Sequence, residues 1–309
     1  MAAIELNRVT KRYGRVEAVK SLTLSVPEGS LFGLIGPNGA GKTTTFGLLS
    51  GFLQPTEGQV FVRGQQLRPG RPPVGHVLAL PQDASLPDRQ RVAACLVHLG
   101  RLGGLSTSDA KISATRALER VGLSDLAERR IDQLSHGQRR RVGIASTLVG
   151  HDEVIVLDEP TAGLDPRTAL ELRGLIKELH SERTVVLSSH DLAEVESLCS
   201  HAGILSQGVL VEVGTMDEVK GTGQKLYVQL SQPVADPAPL CQAIEAFDGV
   251  KGTGVENDAT TLRVEIRNAN DVDGITARVL QHLLEHGHPV KGVERGQRLE
   301  ARFMETTAR

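Results

Sequence analysis

A chain of 309 residues has room for more than one hydrophobic core, and two domains are the default expectation. Lys and Arg number 35 against 37 Asp and Glu; this near-neutral balance disfavours free nucleic acid as a partner, and the absence of Trp with only 2 Tyr argues against a base-stacking surface. Cys95, Cys199 and Cys241 form neither a metal spacing nor an even disulfide set, no apolar run reaches bilayer-spanning length, and the first residues lack a signal-peptide layout, so a reducing cytosol fits.

Residues 4–9 and 22–27 alternate apolar and polar side chains and read as strands of an antiparallel region. Leu31-Phe32-Gly33-Leu34-Ile35 has the pattern of a buried strand. It feeds the glycine loop Gly36-Pro37-Asn38-Gly39-Ala40-Gly41-Lys42-Thr43-Thr44, whose end opens a helix over 42–53. The glycines let the backbone curl so that successive N–H groups point at one anion, and the helix adds the positive end of its dipole. Lys42 can reach the β- and γ-phosphates of ATP, and the Thr43 hydroxyl can ligate Mg²⁺.

A strand over Val77–Leu80 precedes Gln82. Helical periodicity over 90–102, 108–121 and 138–149 marks a mostly helical insertion, about residues 83–140, ahead of a strand at 153–157. That strand ends in Asp158 and Glu159. Strands of an α/β sheet end at the ligand crevice, where Asp158 can hold Mg²⁺ and Glu159 can orient or deprotonate an attacking water. In Leu134-Ser135-His136-Gly137-Gln138, Ser135 and Gly137 open the helix 138–149, as a helix cap or as a second place for an anion. Arg139, Arg140 and Arg141 fan out around that helix as a solvated or subunit-facing set. A β-branched run at 184–189 leads to His190, which can hydrogen-bond a γ-phosphate. Helix 191–199 follows, then a hairpin of 203–206 and 208–213 around Gln207-Gly208.

Composition changes after Gly214, and Lys220-Gly221-Thr222-Gly223-Gln224 reads as a linker. Beyond it the pattern gives strand 225–230, helix 238–247, strands 249–255 and 260–267, helix 271–286, strand 289–295 and helix 299–306. Val272, Ile275, Val279, Leu283 and Leu284 share one helix face, and Leu262, Val264 and Ile266 alternate inward. This describes a small α+β unit over 221–309 with a β-α-β-β-α-β, ferredoxin-like layout.

The ordered set of glycine loop, Gln82, Leu134–Gln138, Asp158-Glu159 and His190 resembles the nucleotide-binding subunits of ATP-binding-cassette (ABC) transporters over residues 1–220. The resemblance implies an α/β P-loop NTPase fold with a RecA-like core, an antiparallel β region and a helical insertion. It implies Tyr13 as the A-loop aromatic stacking on adenine, and Gln82 as the Q-loop residue that senses Mg²⁺ and water. It makes Leu134–Gln138 the signature that reaches ATP held by the opposite subunit, with His136 where the family has glycine. Gly163, Leu164 and Asp165 fall in the D-loop at the dimer seam, and Glu159, His190 and Gln82 become the catalytic set. The implied partners are a second copy or a paralogous cassette and an integral membrane transporter subunit, at the cytoplasmic face of the cell membrane. Leu299-Glu300 and Phe303 resemble the ending of ABC-2 type exporters; an importer subunit is the alternative. A cassette working on nucleic acid or ribosomes fits less well, because there is one cassette, no heptad run and no basic surface signal.

Overall fold

The computed structural model describes residues 1–67, 77–82, 84, 86–150, 154–221, 225–256, 259–267, 271–296 and 299–307. Residue 153 of the expected strand and residues 222–224 of the expected linker lie outside the described residues. The chain divides into two compact units, Met1–Val213 and Gly214–Arg309.

The first unit holds two sheets. β1 (Ala2–Tyr13), β2 (Val16–Pro27), β4 (Glu57–Val62) and β5 (Gln65–Gln66) form an antiparallel sheet in the order β2-β1-β4-β5. β1 and β2 are longer than the alternation suggests, because bulges interrupt their register between Leu6 and Val9 and again near Lys11. Arg8 and Ser21 take positive φ in this stretch, so the side-chain period of two breaks there.

The second sheet has the order β10-β9-β3-β8-β7-β6, built from β3 (Leu31–Ile35), β6 (Val77–Leu80), β7 (Val154–Leu157), β8 (Thr184–Ser188), β9 (His201–Ser206) and β10 (Val209–Thr215). Its pairs β9-β3, β3-β8, β8-β7 and β7-β6 are parallel. β3, β7 and β8 are buried along their whole length, as strands covered on both faces must be. Side chains from both sheets and from helix α1 (Lys42–Leu49) make one core, including Leu6, Val60, Phe32, Leu48, Val156 and Val186. α1 stops at Leu49 rather than running to 53, because Ser50 caps it and Gly51 turns the chain at φ 75°.

α2 (Val92–Leu102) and α3 (Thr107–Arg120) form the helical insertion, which leads into α4 (His136–Ser146). α4 starts two residues earlier than its periodicity implies, since Ser135 is its N-cap. α5 (Pro166–His180), unread in the sequence, begins with Asp165 as N-cap and Pro166 in its first turn. α6 (Leu192–Leu198) starts after His190. Among the described residues no helix is long and apolar enough to cross a membrane.

The second unit contains α7 (Met216–Lys220), β11 (Lys225–Leu230), α8 (Pro237–Glu245), β12 (Val250–Glu256), β13 (Thr261–Ile266), α9 (Val272–Glu285), β14 (Val290–Arg295) and α10 (Leu299–Thr307). Its sheet order is β12-β13-β11-β14, the ferredoxin-like β-α-β-β-α-β arrangement. Val228, Leu262, Val264, Ile275, Val279 and Leu283 are among the residues that fill its own core. Leu284 is an exception to the expected stripe: it is 62% exposed, one helical step of about 100° from Leu283, and Thr276 takes a buried place instead.

Candidate active site

The catalytic end of the parallel sheet is assembled where β3, β7 and β8 run out together. β3 delivers the glycine loop. Gly39 and Gly41 sit at φ 81° and 103°, and a Cβ on Gly41 would collide with the Ala18 carbonyl, so only glycine fits. Gly36 is equally constrained by the Leu205 carbonyl of β9. The Ala40 carbonyl accepts from the Gly208 N–H (2.9 Å), so the turn between β9 and β10 props the loop from behind. Lys42, on the first turn of α1, folds back and donates to the carbonyls of Gly36 (2.7 Å) and Pro37 (3.3 Å). Burial pushes its ammonium below the ordinary lysine range, while the charges of Glu159 and Asp158 work in the opposite direction.

β7 ends in Asp158, which is 3% exposed. Ser188, at the end of β8, donates its hydroxyl to Asp158 Oδ1, and the Thr43 hydroxyl is close enough to favour the charge of the same carboxylate. Burial raises the Asp158 pKa above the usual carboxylate range; the two hydroxyls counter it and the neighbouring Glu159 charge adds to it. Glu159 has φ 48°, the left-handed region that non-glycine residues rarely adopt. Its backbone N–H donates to Ser188 Oγ (2.9 Å), and its Oε2 lies 2.7 Å from His190 Nδ1. The carboxylate is sheltered while the imidazole is largely exposed. Glu159 and His190, chosen from separate stretches of sequence, are therefore one hydrogen-bonded pair.

Two further elements hold the surroundings. The Arg140 guanidinium on α4 donates to the carbonyls of Asp158 (2.7 Å), Glu159 (2.7 Å), Pro160 (2.9 Å) and Gln82 (3.1 Å). Glu194, 1% exposed on α6, accepts from Ser189 (2.6 Å) and Thr161 (2.9 Å) and faces Arg173 (3.3 Å). These contacts change the reading of one of the three arginines: Arg140 turns into the site, whereas Arg139 is exposed while bonding the Leu134 carbonyl and Arg141 pairs with Glu171. Ser188, Glu194 and Arg140 were missed as contributors, since a serine after an apolar run or an arginine on a polar helix carries no signal alone.

Tyr13 stands at the end of β1, 48% exposed, with Lys11 Nζ 5.3 Å from its ring centre. Gln82 is exposed just beyond β6. Ser135 and Gln138 form a reciprocal capping box, with Gln138 N–H to Ser135 Oγ at 3.3 Å and Ser135 N–H to Gln138 Oε1 at 3.0 Å. His136 therefore occupies an ordinary first helical position. Its imidazole lies by Gly163, where a Cβ would stand 3.7 Å from Nε2. Leu134 is buried, Gly137 packs beside Thr168, and Leu164 bonds back to the Thr161 carbonyl (3.2 Å). Asp165 caps α5, accepting from the Thr168 N–H (3.0 Å) and hydroxyl (2.7 Å), which hold its carboxyl below the usual range.

Comparison with known proteins places this geometry. A family model described as ABC transporter matches residues 19–162. The chain is 30% identical to the linearmycin resistance ATP-binding protein LnrL of Bacillus subtilis over 99% of its own length and 98% of the relative's. It is 34% identical to the methionine import ATP-binding protein MetN 3 of Oceanobacillus iheyensis over 69% of its length and 66% of the relative's. Among solved structures, the dimeric bacterial ABC transporter cassette MJ0796 superposes with a TM-score of 0.64 at 25% identity, covering 69% of this chain and 98% of that one. A P-loop nucleotide site of this construction on a chain aligned end to end with such a relative is an ATPase cassette, and the chain belongs to the ABC transporter family of ATP-binding proteins.

Proposed function

We propose that two copies of this chain, or one copy and a paralogous cassette, close around two ATP molecules and drive export through a separate membrane subunit of the ABC-2 type. The observation that carries the hydrolytic part is the Glu159–His190 pair, 2.7 Å apart beside Lys42 and Asp158 at the end of β7. Glu159 takes the proton of the attacking water as its oxygen bonds the γ-phosphorus. The bond to the β–γ bridging oxygen breaks, leaving ADP and phosphate. His190 holds the carboxylate through Nδ1 and presents its exposed edge to the γ-phosphate. Lys42, the loop N–H groups and the start of α1 stabilise the charge that moves onto the leaving phosphate. Tyr13 stacks on adenine.

The residues present fit Mg²⁺: the Thr43 hydroxyl and Asp158 carboxylate are hard oxygen donors that lie close together. Among the described residues no group of three or more His, Cys, Asp or Glu could hold a metal ion, which leaves phosphate oxygens, water and Gln82 to complete the shell. When bound, the ion would supply neutralisation of phosphate charge.

Ser135 is exposed at the N-terminus of α4, a position from which its hydroxyl and helix N–H groups can meet a phosphate held by another subunit. Gly163, Leu164 and Asp165 flank that seam. Export is favoured over import because the resistance relative aligns over nearly the whole chain, second unit included, whereas the import relative aligns over a cassette's length. The chain would then sit peripherally at the cytoplasmic face of the membrane.

Glu159→Gln tests the chemistry. The variant binds ATP and elutes as a dimer with it, and phosphate release falls roughly 100-fold or more. Unchanged turnover sinks the role given to Glu159. Purification from detergent-solubilised native membranes tests the partner: a multi-span protein without its own cassette is expected to accompany the chain, and recovery only from the soluble fraction overturns the membrane assignment.

A further inference from the structure

We infer that Arg140 is a positioning residue that aims Glu159 and links its readiness to the signature helix; the inference rests on the reading of Glu159 as the base. The guanidinium donates to backbone carbonyls from two loops. Nη2 bonds the carbonyls of Asp158 and Glu159, both at 2.7 Å, Nε bonds that of Pro160 at 2.9 Å, and Nη1 bonds that of Gln82 at 3.1 Å. One rigid fork therefore joins the end of β7 to the segment after β6.

The placement matters because of the Glu159 backbone. At φ 48° this residue sits in a region that an L-amino acid rarely adopts, so it stays there only if its neighbours hold it. Two bonds do so from opposite sides. Ser188 Oγ takes the N–H at 2.9 Å, and Arg140 takes the carbonyl. With both ends of the residue pinned, the side chain meets His190 at 2.7 Å. Releasing the carbonyl end lets the backbone relax and swings the carboxylate away.

Arg140 stands five residues after Ser135 on α4, about 7.5 Å along the helix axis. Ser135 is the residue offered to a nucleotide on the opposite subunit. A movement of α4 that docks Ser135 therefore moves the fork that holds Glu159 and Gln82 on its own subunit. Lysine cannot substitute, because one ammonium cannot span these carbonyls in a fixed plane.

The test compares Arg140→Met and Arg140→Lys with the parent and with Glu159→Gln. Turnover at saturating ATP is expected to fall roughly 100-fold in both arginine variants, as misplacement of a reacting group does. The dissociation constant for ATP, measured by titration calorimetry, moves by less than about twofold, so the loss lies in kcat rather than KM. In a Glu159→Gln background, Arg140→Met lowers the residual rate by less than about threefold, because the base it aims is already gone. Parental turnover in either arginine variant overturns the inference, as does an equal loss in both backgrounds or a loss confined to KM. If Arg140→Met does not fold, Arg140→Lys carries the same comparison. A slow Glu159→Gln with a fast Arg140→Lys refutes only this inference, whereas a fast Glu159→Gln refutes the reading beneath it.

Discussion

Asp158 carries opposing demands on one side chain. Burial disfavours its charge, and the adjacent Glu159 adds to the penalty, yet the proposed ion requires that charge. Its folded-state pKa lies above the unfolded value, so folding disfavours the ionised form, and stability is lost as pH rises from the unfolded value to the raised one. Asp158→Asn is expected to melt about 2 °C higher than the parent at neutral pH without nucleotide, while losing ATP turnover. The advantage narrows as pH falls into the carboxylate range, and scanning calorimetry across pH reads it. A constant difference at every pH would show that ionisation is not its source. At this scale the sequence was informative where chemistry demands an unusual residue pattern. Lys42, Thr43, Asp158, Glu159 and His190 were identifiable because glycines, paired acids and a strand-end histidine form a recognisable order. Ser188, Glu194 and Arg140 were not, because their roles depend on where three separate segments meet.

The hairpin of β9 and β10 holds the glycine loop through its backbone. Gln207 and Gly208 take φ of 48° and 82°, as a tight two-residue turn requires. Gly208 N–H bonds the Ala40 carbonyl at 2.9 Å, and its own carbonyl accepts from Lys20 N–H at 2.8 Å. A Cβ at Gly208 would stand 2.8 Å from the Ala18 carbonyl. Gly208→Ala is expected to destabilise the first unit by about 1–2 kcal/mol in urea unfolding and to weaken ATP binding severalfold. Full stability with normal affinity would remove the turn from the list of loop supports. Sequence reading located this hairpin because Gln-Gly between two apolar runs is a local signal. It missed the full length of β1 and β2, where bulges erase alternation, and the end of α1, where Gly51 overrides a helical pattern. Periodicity reports the face an element buries, and it fails where the backbone changes hand.

The two units each own a core, one spanning both sheets of Met1–Val213 and one inside Gly214–Arg309. Separate cores predict separate unfolding. Val264→Ala, a deletion of buried methyl groups at a fully buried position, is expected to lower only the transition of the second unit, by about 1–3 kcal/mol, and to leave ATP turnover intact. A single transition that shifts as a whole would mean that the units unfold as one. The Lys42 arrangement bears on the working of the molecule as a whole. The ammonium donates to two backbone carbonyls, so a phosphate bound at Lys42 is exchanged for them rather than gained outright. Departure reverses the exchange, and the lysine returns to acceptors that are waiting for it. A device that must let go of its spent fuel on every stroke has, in these carbonyls, a competitor for the same hand.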